Sequence, residues 1–153
     1  MSKHAFGRDS VGSVGGRRLQ PVDPNARLDP DTRRRITSYL ENARSSMGEE
    51  EYFYIARHFQ RKVRVVSTSR IPWVRALAAE MVVLHRIYEA HLEGEMELGD
   101  DAISTISVAL FYFVNPYGVI PDHVPGKGYL DDAYVFERCL RELKKRAPQL
   151  VKD

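Results

Sequence analysis

Cysteine is nearly absent from this chain. Cys139 is the single thiol in 153 residues, so no internal disulfide can form and no zinc site can rest on several thiolates. A marked excess of one charge is also missing. Lys and Arg total 23 against 21 Asp and Glu, a formal net charge of +2, so bulk charge selects neither nucleic acid nor membrane. Residues 1–28 hold no apolar run long enough for the core of a secretory signal. No phosphate-cradling glycine motif, Ser/His/Asp spacing or Cys/His spacing is present, and His4, His58 and His91 show no ligand spacing. With 43% hydrophobic and 29% charged residues, the composition excludes a wholly disordered or collagen-like chain. A reducing, cytoplasmic setting is the expectation.

Glycine and proline are concentrated in few places. Gly7, Gly12, Gly15, Gly16, Pro21 and Pro24 fall within residues 1–28, beside Lys3, Arg8, Arg17, Arg18 and Arg27. Such a stretch buries too little apolar surface to offset the entropy of ordering it. It reads as a flexible basic arm, followed by one domain over 29–153.

From Asp29 the punctuation is helical. Asp29-Pro30 sets an N-cap before a first-turn proline. Ile36, Tyr39, Leu40, Ala43 and Met47 then form one apolar face, ended by Gly48. Tyr52, Ile55, Ala56, Phe59, Val63 and Val66 predict a second helix over 49–66. A third, with Thr68 or Ser69 as cap and Pro72 in its first turn, carries Trp73, Leu77, Met81, Leu84, Tyr88 and Leu92 until Gly94. A fourth runs from Asp100 to Asn115-Pro116, and a fifth over 129–146 carries Ala133, Phe136, Leu140 and Leu143. The prediction is an all-α fold, a single bundle of about five helices. Between Asp101 and Asp122 there is no charge at all. A helix apolar nearly all round is either the centre of a bundle or a membrane segment. Pro116 and Gly118 interrupt this run, leaving 102–114 as clean helix, shorter than the ~20 residues a span requires. A buried pillar is therefore the expectation, with peripheral membrane contact through 102–114 and the basic faces as the alternative.

Charge is segregated along the chain. Residues 33–79 carry a net +6 and residues 80–137 a net −9. Arg57, Arg61 and Arg64 recur at i, i+4 and i+7, opposite the apolar stripe of the second helix. Arg33, Arg34 and Arg35 crowd the start of the first helix, where the macrodipole disfavours cations. These six are the candidates for binding a partner or an anionic surface, lipid or nucleic acid.

The most specific segment is 115–132, with Pro116, Pro121, Pro125, Gly118, Gly126 and Gly128 between two apolar helices. Asp122 follows a proline, and Asp131 and Asp132 fall in the first turn of the last helix, where negative charge suits the dipole. Asp122, Asp131 and Asp132 with His123 or His85 make an oxygen-rich candidate for magnesium or manganese, the equipment of a metal-dependent hydrolase. The simpler assignment is that these aspartates cap and brace the turn.

Over about residues 103–140, Pro116, Ile120, Pro121 and Asp122, then Gly128, Asp131 and Asp132, resemble the YkvA-like family, domain of unknown function 1232. Its pattern is an apolar helix, Pro-x-Asp-x-Ile-Pro-Asp, then Gly-x-x-Asp-Asp entering another helix. Gly118 stands where that pattern has its first aspartate, and His123 where an apolar residue is usual. The resemblance implies a small helical bacterial protein and no particular activity. The sequence therefore reads as a non-enzymatic interaction module, part of a larger assembly. Another protein is its expected partner, and no catalytic residue, cofactor or small-molecule substrate is expected.

Overall fold

Asp29 opens the first helix as its sequence demands. Its carboxylate accepts the Thr32 N–H at 2.7 Å, and Pro30 occupies the first turn. In the computed structural model, which describes residues 17–115 and 128–152, five α-helices follow one another. They are α1 (Pro30–Ser46), α2 (Glu49–Ser67), α3 (Pro72–Leu92), α4 (Asp100–Val114) and α5 (Leu130–Arg146), with a short 3-10 turn at Pro148–Leu150. No helix among the described residues is long and apolar enough to cross a membrane.

The connections show why the helices stop where they do. Glu51 reaches back so that its Oε1 accepts the Gly48 N–H at 2.8 Å, which secures the start of α2. The α3 start differs from expectation: Ile71 is the N-cap residue and no side chain caps it. Ser69 instead accepts the Ile71 N–H through Oγ, and Thr68 turns back to donate to the Val65 carbonyl. At the far end of α3, Gly94 adopts φ +78°. Its N–H donates to the His91 carbonyl and that of Glu95 to the Ala90 carbonyl. This is the Schellman closure, which needs a residue tolerant of the left-handed region.

The uncharged helix α4 is the pillar. It packs against α1, α2, α3 and α5, and Ala102, Ile106, Val108, Ala109, Leu110, Tyr112, Phe113 and Val114 are all buried. Full burial of a large apolar side chain such as Phe113 contributes on the order of 2–3 kcal/mol. That burial turns the apolar surface of these residues toward the other helices.

Residues 17–28 are also more ordered than the expected arm. Leu19 is fully buried and forms a parallel bridge with Val151. Its N–H donates to the Leu150 carbonyl and its carbonyl accepts the Lys152 N–H, both at 2.8 Å. Beside it, Glu80 of α3 is 5% exposed, accepts the Gln20 N–H at 2.9 Å and pairs with Arg17 at 2.6 Å. The backbone polar groups of this strap are thus satisfied by the C-terminal segment and by a buried carboxylate, which is what lets it lie against the core. Within the stretch expected to be a flexible arm, Leu19 thus lies against the core. Residues 1–16 lie outside the described residues.

Candidate functional site

The motif segment meets the bundle where α4 ends and α5 begins. Asp131 and Asp132 sit in the first turn of α5 at 1% and 5% exposure. The N-cap residue is Tyr129, in the left-handed region at φ 73°, and its side chain makes no capping hydrogen bond to this helix start. Asp131 braces it: the Tyr112 hydroxyl of α4 donates to Asp131 Oδ2 at 2.6 Å. That length is typical of a hydroxyl meeting a carboxylate.

Around this bond the aromatic residues interlock. The Tyr39 ring of α1 stands edge-on to the Tyr112 ring at 5.3 Å, a favoured aromatic geometry. The Tyr39 hydroxyl accepts from Asn115 Nδ2 at 2.8 Å. Burial raises the Tyr39 hydroxyl's pKa above its ordinary value, with the Asn115 hydrogen bond partly opposing it. From α2, the Lys62 ammonium lies 5.2 Å from the Phe113 ring centre and 5.7 Å from that of Tyr129, within cation–π range. Four helices, α1, α2, α4 and α5, thus contribute to the corner where Asp131 meets Tyr112. Asp122 and His123 fall outside the described residues.

His85, considered as a nitrogen donor, is occupied otherwise. It is buried and stacked on Phe59 with ring centres 3.9 Å apart. Burial pushes its pKa down to about 4, so near neutral pH it is an uncharged core ring and its 3.6 Å approach to Glu89 is not an ion pair. Among the described residues, no group of three His, Cys, Asp or Glu side chains comes together to hold a metal ion. Cys139 lines a cavity of about 170 Å³ between α1, α4 and α5. Its thiol is buried and pushed up to about 12 by desolvation, which makes it a core residue rather than a nucleophile.

The basic candidates divide in two. At the start of α1, the protein supplies its own anions. Asp29 caps the helix and is held below the usual carboxylate range, chiefly by the Thr32 backbone N–H. Asp31 pairs with Arg34 at 2.7 Å. Arg35 is exposed and Arg33 half-buried. On α2, Arg57, Arg61 and Arg64 are exposed, and none forms an ion pair among the described residues. Phe53, one turn before Arg57, is 69% exposed. The spacing of Phe53, out of phase with Ile55 and Phe59, is the sequence signal of its outward position.

Comparison with known proteins adds one match. No curated protein and no solved structure matches the chain. Residues 102–137, from the start of α4 into α5 and including the Asp131–Tyr112 brace, match the family model described as a protein of unknown function, DUF1232.

Proposed function

We propose that the protein is a non-enzymatic interaction module that docks an acidic partner protein on the outer face of α2. The observation that carries this reading is the exposed row formed by Phe53, Arg57, Arg61 and Arg64. A solvated charged face needs no large aromatic residue. An exposed Phe one turn before the first of three exposed arginines places an apolar contact at the end of a basic row, a pairing of residue types that suits a binding surface. Charge is segregated along the chain, with Glu93, Glu95 and Glu97 in the acidic stretch that follows the basic row, and uneven charge favours oriented encounter with a charged partner. The test compares affinity capture from the native host by the wild-type protein and by Arg57→Glu/Arg61→Glu/Arg64→Glu. A partner retained by the wild type and lost by the variant is expected. Identical capture by both would refute the assignment of this face, and retention of the wild type alone by anionic vesicles or duplex DNA would replace the protein partner with an anionic surface.

A further inference from the structure

We propose that the cleft between residues 22–28 of the strap and helix α5 is a binding site for a small sugar phosphate or nucleoside phosphate. The cleft has a volume of about 400 Å³, within the range of small-molecule sites and too small for a folded partner. Three arginines are among its lining residues, each from a different element: Arg27 from the strap, Arg33 from α1 and Arg141 from α5. None of the three forms an ion pair among the described residues. Three other arginines on the same helices are paired, Arg34 with Asp31, Arg44 with Asp101 and Arg146 with Glu142. Guanidiniums present planar forks of donors that match phosphate oxygens in pairs, and several together select a multiply charged oxyanion.

The remaining lining describes the rest of the ligand. Asp23 and Glu137 also face the cleft. Carboxylates repel a second anion but accept from hydroxyl groups, such as those of a sugar. Leu130, Ala133 and the half-buried ring of Tyr134 provide an apolar wall for a flat or carbon-rich body. The other wall is held in place by the latch described above, in which Leu19 pairs with Val151 and Glu80 receives Arg17 and Gln20. Of the arginines crowding the α1 start, Arg33 lines this cleft while Arg34 and Arg35 do not. This site shares no residue with the α2 face, so the two readings stand or fall separately.

Isothermal titration calorimetry of the full chain tests it, with ADP and ribose 5-phosphate as probes and adenosine as the uncharged control. The expected result is binding of a phosphate-bearing probe and none of adenosine. The affinity should fall about tenfold or more in Arg141→Ala and in Arg33→Ala, as the loss of a charge-assisted contact implies, and stay unchanged in Arg57→Ala. Arg141 is exposed, so its variant tests the site even if the half-buried Arg33 variant is unstable. No binding of either phosphate at about 10 mM, equal binding of adenosine, or undiminished binding by Arg141→Ala would overturn the proposal.

Discussion

Tyr112→Phe is the sharpest test of how the α4–α5 corner is held. The substitution keeps the ring, and with it the edge-on contact to Tyr39 at 5.3 Å. It removes only the hydroxyl that donates to Asp131 Oδ2 at 2.6 Å. Both residues are almost fully inaccessible, at 2% and 1% exposure, so water cannot replace the lost donor without opening the core. A hydrogen bond to a carboxylate is worth roughly 1.5–3 kcal/mol. For a domain of this size each kcal/mol moves the melting temperature by about 2–4 °C, so a fall of roughly 3–12 °C is expected. Urea unfolding of Tyr112→Phe, Asp131→Asn and the double variant completes a cycle. The two single losses should be strongly non-additive, because either one breaks the same bond. A loss under about 0.5 kcal/mol for Tyr112→Phe, or strictly additive losses, would refute the claim that Asp131 serves as a brace. A gain in stability from Asp131→Asn would do so too, and would be the behaviour of a carboxylate kept for chemistry.

Three further outcomes are expected. His85 is held down to about 4 when folded but takes its proton near 6.5 when unfolded. Stability should therefore decline as pH falls through this window, by up to about 3 kcal/mol, and His85→Phe should flatten denaturation midpoints measured between these limits; an unchanged profile would contradict the assignment. Cys139 should resist a thiol reagent at pH 8 in the folded protein and react at once in denaturant, since its thiol is buried and pushed up to about 12; rapid native labelling would show the site to be open. Leu19→Ala should cost about 2–5 kcal/mol, as for other fully buried leucines, and should speed proteolysis around residues 17–28; a loss near zero would mean that the strap is not part of the core.

Much of this architecture was legible from local pattern alone. The apolar spacings of Ile36, Ile55, Phe59 and Leu77, the Asp29-Pro30 start and the Gly94 stop each act within a few residues of themselves, and the helices formed where those signals place them. The uncharged run at 102–114 likewise identified its own position, because a helix with no polar face must be surrounded. The α3 cap was misplaced because Ser69 bonds the Ile71 N–H one residue outside the helix rather than within it.

What the chain determined by itself, then, was which segments are helical and which face of each is apolar, since both follow from a period of about 3.6 residues along one strand of covalent bonds. Only the tertiary structure decided that Asp131 turns inward to Tyr112, that Glu80 lies buried beneath Arg17 and Gln20, and that Leu19 pairs with Val151 at the other end of the chain. It alone brought Arg27, Arg33 and Arg141 to one cleft. These partners are separated by many residues, and no periodicity encodes them. They are chosen by which buried polar groups remain to be satisfied, and which cations are left facing one another, once the helices have closed around α4.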